Sequence, residues 1–266
     1  MDEPESGSRP ELAEQGQALT SAGRRICCFT TVFKDWDYLK DIPPPFLEEG
    51  VDYYCFTDDP DLESKSWQVV YVGPVEDGRE ENRRYKQLWI HPLQQQGYDF
   101  FLYLDATLFV RTKLTQLVDI LELSNTDLVS MYYTGRRAPW NGLLAIRNTE
   151  RYTRFAKTWH EMMMRGDRRM DDGRVRDEWV YWEALRACPD LRLNLLPYSS
   201  LPQYASTIHH KHLSLAPNLE KRLLADTPLY KLGWLSVPII FIGGFVFRRN
   251  KIAWLKRTLE KARSWV

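Results

Sequence analysis

The chain has almost no charge bias: Lys plus Arg and Asp plus Glu are each 36 in 266 residues. No global field of one sign exists to draw in nucleic acid, and no acidic tail is present. Cysteine is scarce. Cys27, Cys28, Cys55 and Cys188 are the only four, they show no zinc-ligand spacing, and two are adjacent in an apolar run. They read as small buried hydrophobes of a reducing compartment and not as a disulfide framework. No glycine-rich phosphate loop follows the first apolar run at Ile26, which argues against a nucleotidyltransferase. Residues 1–24 are polar, rich in Glu, Ser, Gly and Gln, and lack the apolar core of a signal peptide. They read as a disordered leader of a cytoplasmic protein, with folded chain beginning near Arg25.

A membrane-spanning run is also missing. The longest apolar stretch, residues 232–247 (LGWLSVPIIFIGGFVF), contains Pro238, Gly243 and Gly244 and falls short of the roughly 20 residues that cross a bilayer. Residues 251–265 then place Ile252, Leu255, Leu259 and Ala262 on one helical face, with Lys251, Lys256, Arg257, Lys261 and Arg263 largely elsewhere. A basic amphipathic helix of this kind suits an anionic membrane surface or a partner, so residues 231–266 read as a peripheral membrane-contact segment.

What the chain does contain is an ordinary globular balance, 44% apolar and 27% charged, and enough length for a substantial core. It is organised around residues 98–110, YDFFLYLDATLFV. The run from Phe100 to Leu104 is short and aromatic, as in a strand buried on both faces of a parallel or mixed α/β sheet. It ends on one carboxylate, Asp105. Such a charge is costly without a partner, and the carboxyl ends of strands are where open α/β sheets bind ligands. Asp105 is therefore either a metal or substrate ligand or a capped turn acid.

Further strands are expected at residues 26–33, 52–57, 67–72, 126–133, 143–146 and 191–196, with Asn141-Gly142 opening a turn before the fifth of these. The triple proline at 43–45 marks a loop. Helices are expected at 80–95, 114–123, 150–164 and from Asp177 onward. On the first of these, Arg79, Arg83 and Lys86 fall at i, i+4 and i+7 and share a face. That stripe is either solvated or aimed at an anionic group near Asp105. Asp177 stands at an N-cap position with Glu178 in the first turn. Residues 208–212 (IHHKH) cluster three of the five histidines, a weak metal signal on its own.

The order CFTTVFKDWDYLKD, DYYCFTDDPDLESKSWQVV, RRYKQLWIHPLQQQGYDFFLYLDATLFV and RDEWVYWEAL resembles a GT-A-type glycosyltransferase. It is most similar to a family of putative sugar transferases formerly catalogued as a domain of unknown function. The resemblance covers about residues 26–212. It implies a single α/β domain over residues 25–230, with a mixed, mostly parallel central sheet flanked by helices. It also implies transfer of a sugar from a nucleotide-diphosphate sugar to a glycan, protein or lipid-linked acceptor. Thr30 and Thr31 would lie near the nucleotide, Asp58 or Asp59 near the base or ribose, and Arg79, Arg83 and Lys86 toward the diphosphate. Asp105 matches the first acid of the family's metal motif, Asn141 and Gly142 would line the donor sugar, and Asp177 and Glu178 would be catalytic.

Two positions depart from the family pattern. The second acid of the Asp-x-Asp motif is Thr107 here, and Glu178 replaces a more usual Gln. Asp105, Thr107, His210 and His212 together would hold Mn²⁺ or Mg²⁺, the diphosphate supplying other oxygens. Action without a metal, Arg and Lys neutralising the leaving group, stays open. So does a non-catalytic GT-A-like module that binds a glycan or a partner.

Overall fold

The computed structural model describes residues 23–34, 39–88, 91–133, 138–165 and 177–207. Strand β1 (Ile26–Val32) is buried at every position, as are β4 (Phe100–Leu104) and nearly all of β2 (Val51–Thr57). The cause is cover on both faces. Ile26, Cys28 and Val32 pack into one core with α2 (Thr115–Leu123), while Cys27, Phe29 and Phe33 pack into a second. That second core contains α3 (Glu150–Arg165) and α4 (Asp177–Ala187), which meet through Trp159 and Tyr181 at 4.8 Å between ring centroids. Strands enclosed this way have no solvent face, and their sequence is a near-continuous apolar run, broken in β1 and β2 by Thr30, Thr31, Asp52 and Thr57. The four cysteines are buried thiols.

The remaining strands are β3 (Gln68–Tyr71), β5 (Leu108–Val110), β6 (Leu128–Tyr133), β7 (Ala138–Arg147), β8 (Leu193–Pro197) and β9 (Ala205–Thr207). Of the nine strands among the described residues, seven form one sheet in the order β3-β2-β1-β4-β7-β6-β8. Its pairs are parallel except around β7, which runs antiparallel to both β4 and β6. The architecture is an α/β fold with a mostly parallel mixed sheet flanked by helices. From β1 the chain builds outward to β2 and β3, then returns to place β4 on the other side. That reversal falls between β1 and β4, and the carboxyl ends of strands at such a reversal are where sheets of this type bind ligands.

After β4 the chain turns at residues 105–108, where the Leu108 amide bonds the Asp105 carbonyl at 2.9 Å, and β5 pairs with β9 in a separate two-stranded sheet. Two expectations need correction. The helix expected over 80–95 is only Gly78–Tyr85, labelled α1, followed by a 3₁₀ segment at Pro92–Gln96. Leu88 has φ 63°, and Pro92 can donate no amide to a helix, so the pattern cannot continue. Asn141-Gly142 is not a turn but lies within β7, with Gly142 under the Trp140 ring, where a Cβ would meet Trp140 Cζ2 at 2.2 Å. The leader, residues 166–176, the histidines at 208–212 and the segment 231–266 lie outside the described residues. Among the described residues no helix is long and apolar enough to cross a membrane.

Candidate active site

Polar residues collect at the carboxyl edge of the sheet because several elements end or begin there. Helix α1 starts with Asp77 as its N-cap, whose side chain accepts from the Arg79 and Glu80 amides. Gly78 sits so close to the end of β1 that a Cβ would lie 2.8 Å from the Phe33 carbonyl oxygen. That close approach fixes α1 against β1, so Lys86 at its C-cap reaches back over the sheet. There its Nζ lies 5.8 Å from the ring centroid of Tyr103, the penultimate residue of β4.

Strand β7 contributes from the opposite direction. Leu143 pairs with Leu104, the last residue of β4, so Gly142 and Asn141 project past that strand's end. The Asp105 amide donates to the Gly142 carbonyl at 2.8 Å, closing the edge between them. Helix α4 completes the group with Asp177, its first residue.

These residues meet. Lys86 Nζ donates to Asp177 Oδ2 at 2.9 Å and to Asn141 Oδ1 at 3.4 Å, and Asn141 Nδ2 lies 3.4 Å from Asp177 Oδ2. Arg83 Nε is 3.9 Å from Asp177 Oδ1, and Arg83 also pairs with Glu80 at 2.5 Å. Lys86 is only 5% exposed, so this is a largely desolvated cluster. Burial by itself would raise the Asp177 carboxyl; the charges of Lys86 and Arg83, with hydrogen bonds from Lys86 and Asn141, outweigh it and hold the pKa below its ordinary value. The result is an ionised carboxylate and a cation fixed side by side next to the end of β4.

The other expected residues fall along the same edge with differing roles. Thr30 and Thr31 are each 2% exposed near the end of β1, and their hydroxyls have no hydrogen-bond partner among the described residues. Asp58 accepts from the Lys34 amide at 2.8 Å, while Lys34 Nζ donates to the Glu76 carbonyl at 2.8 Å, so this acid joins the ends of β1 and β2. Asp59 accepts from the Asp61 amide at 2.9 Å and belongs to the turn after β2. Arg79 is partly buried in the first turn of α1, and Glu178 is partly buried beside Asp177. Asp105 is partly exposed; its Oδ1 lies 3.4 Å from the Thr107 amide, so these two residues share one turn.

Asp105 and Thr107 offer a carboxylate and a hydroxyl, oxygen donors of the kind Mn²⁺ and Mg²⁺ take. Among the described residues no group of three or more His, Cys, Asp or Glu side chains gathers to hold an ion. His210 and His212 lie outside the described residues.

Two features were not visible in the sequence. Lys40 donates through Nζ to the Ala106 carbonyl, inside the Asp105–Thr107 turn. Trp140, whose ring covers Gly142, stacks edge-on against Tyr198 at 5.2 Å between centroids. The only hint of the second was a Trp beside Asn141-Gly142; for Lys40 there was none. Comparison with family models and with curated proteins gives no match.

Proposed function

We propose that the protein is a GT-A-type glycosyltransferase that takes a sugar from a nucleotide-diphosphate donor and passes it to a glycan, protein or lipid-linked acceptor. The observation that carries this reading is the Lys86–Asp177–Asn141 cluster at the reversal point of a mostly parallel sheet, with Asn141 next to Gly142, whose carbonyl accepts from the Asp105 amide. Breaking the sugar–phosphate bond builds negative charge on the departing diphosphate, and a cation preorganised there lowers the barrier. The Lys86 ammonium has three donors; two of them meet Asp177 and Asn141, which leaves a third for a phosphate oxygen.

Arg83 extends the cationic face. Asp177, kept ionised by these neighbours, stands where it can stabilise positive charge developing on the sugar or orient the acceptor, with Glu178 next to it. Thr30, Thr31 and Asp58 line the nucleotide side. Asp105 and Thr107 would hold a divalent ion, Mn²⁺ or Mg²⁺, and that ion would add charge neutralisation at the diphosphate.

Calorimetric titration of the full chain with UDP and GDP, with and without Mn²⁺, tests the reading. Binding of at least one is expected; no binding of any nucleoside diphosphate overturns it. A second reading, a GT-A-like module that binds a glycan or partner without catalysis, is motivated by Thr107 in place of the second motif acid. Donor hydrolysis that vanishes in Asp105→Ala would exclude it.

A further inference from the structure

Helix α1, which carries Lys86 at its end, has only eight residues, too few to keep its shape without packing. Its first turn is pinned where Gly78 meets the Phe33 carbonyl. Its last turn is pinned to α3. Arg84 Nη2 lies 3.5 Å from Met164 Sδ, and Gln87 Oε1 lies 2.9 Å from His160 Nδ1. Further along, Gln94 Nε2 donates to Thr153 Oγ1 at 3.3 Å. Residue numbers rise on one side of these contacts as they fall on the other, so the chain around Lys86 is laid antiparallel along α3.

Gln87 is the residue next to Lys86 and is fully buried. Its carboxamide oxygen meets His160, while its amide nitrogen has no partner among the described residues. Losing His160 would strand both ends of that amide. A buried polar group left unpaired pays its whole desolvation cost, so the chain shifts to relieve it. Any shift of Gln87 is felt by Lys86, whose Nζ sits 2.9 Å from Asp177 Oδ2, and hydrogen bonds weaken steeply with misplacement. Burial and the charge of Arg84 lower the His160 pKa, so the ring is neutral at pH 7 and carries one N–H. The amide oxygen facing it can only accept, which puts that proton on Nδ1.

We infer that His160 is a positioning residue, which through Gln87 fixes where the Lys86 ammonium stands against Asp177 and Asn141. Its hold on the Lys86–Asp177 pair follows from the packing of α1 on α3; its effect on nucleotide binding rests on the donor site proposed above. His160 makes and breaks no bond.

The experiment compares wild type, His160→Leu and His160→Asn as full chains. The first readout is a ¹³C NMR titration of the Asp177 carboxyl, which senses how closely Lys86 approaches. The second is calorimetric titration with UDP and GDP in Mn²⁺. In His160→Leu the Asp177 proton affinity is expected to rise at least about threefold, and nucleotide affinity to fall about tenfold, the scale of one charged hydrogen bond. The Asn amide can donate from the place of Nδ1, so His160→Asn should stay within about twofold of wild type in both. With Gln87→Met, whose apolar chain needs no partner, adding His160→Leu should change either readout by less than about twofold.

An Asp177 carboxyl that titrates in His160→Leu as in wild type overturns the inference, even if stability drops, because the contact is then structural only. His160→Asn behaving like His160→Leu overturns it too, and so do full effects of His160→Leu on top of Gln87→Met. Binding of neither nucleotide by wild type sinks the donor site, while the Asp177 titration still decides the role of His160. If His160→Leu fails to fold, His160→Gln takes its place, since its amide reaches the Nε2 position and leaves Gln87 unpaired.

Discussion

Lys86 and Asp177 lie 91 positions apart in the chain, yet Nζ and Oδ2 are 2.9 Å apart at the edge of the sheet. Removing either partner leaves the other charged and largely desolvated. For a fully buried pair that costs roughly 3–5 kcal/mol. Asp177 is one-fifth exposed and keeps Arg83 nearby, so Lys86→Met is expected to cost about 2 kcal/mol, within reach of urea titration. The same variant should lose measurable UDP and GDP binding, since it removes the central cation. Stability close to wild type would show that the pair is held loosely.

Asp127 makes a different prediction, because its role is structural. It is 1% exposed and accepts from Arg151 Nε at 2.7 Å, Arg151 Nη2 at 2.9 Å, Thr149 Oγ1 at 3.1 Å and the Arg192 amide at 3.0 Å. It thereby fastens β6 to the start of α3 and to β8. Burial would raise its carboxyl, but the Arg151 and Arg192 hydrogen bonds and the Thr149 hydroxyl lower it below the ordinary value. A carboxylate lowered by folding stabilises above its unfolded pKa, and that contribution fades as pH falls through the folded one. Asp127→Ala is expected to cost about 3 kcal/mol at pH 7 and clearly less below pH of about 3, as read by chemical denaturation at both pH values.

His91 sets a second pH limit. The ring is 4% exposed, packed against Phe29, Phe56 and Tyr85, and burial pushes its pKa down to about 3. Nδ1 accepts from the Leu93 amide, which requires the neutral ring. Unfolded histidine takes a proton near pH 6.5. Stability from His91 is therefore complete above that value and drains away as pH falls toward about 3. The slope attributable to it is at most about 1.4 kcal/mol per pH unit. His91→Asn keeps an acceptor for the Leu93 amide and should flatten the stability profile between pH 6.5 and 4; His160, also lowered chiefly by burial, leaves a residual slope.

Gly142→Ala probes the edge of β7. The new methyl would lie 2.2 Å from Trp140 Cζ2, so the indole must move. Overpacking of this kind costs about 1–3 kcal/mol. Trp140→Phe in the same chain should recover part of it, an interaction visible in a double-mutant cycle. Additive effects of the two substitutions would mean that the ring relocates freely.

The parts legible in the sequence were those fixed by local pattern. The strands at β1, β2 and β4 were readable because enclosure on both faces leaves mostly apolar residues, and Asp105 was readable as the charge that ends the run of β4. Asn141-Gly142 was misread because its usual hairpin chemistry is overridden by the Trp140 ring above Gly142. Helix α1 was read too long, since the apolar and polar period runs on past Leu88 although the backbone cannot. Arg83, Lys86, Asn141 and Asp177 were each nominated, but their convergence depends on crossings between elements far apart in the chain. Lys40 escaped notice for the same reason: nothing about residues near 40 says that they touch residue 106.

The reversed direction of β7 has one more effect. Asn141 owes its place to pairing steps further along the strand, Leu143 opposite Leu104 and Leu144 opposite Tyr103. Shifting that ladder by one notch would bring Trp140 or Gly142 to the rim and turn greasy side chains outward. Fine adjustment of this polar rim is thus governed from inside the hydrophobic interior. Variants that change the polar cluster without harming the fold are to be sought among side chains on α1 and α4, where a substitution changes the chemistry and not the alignment.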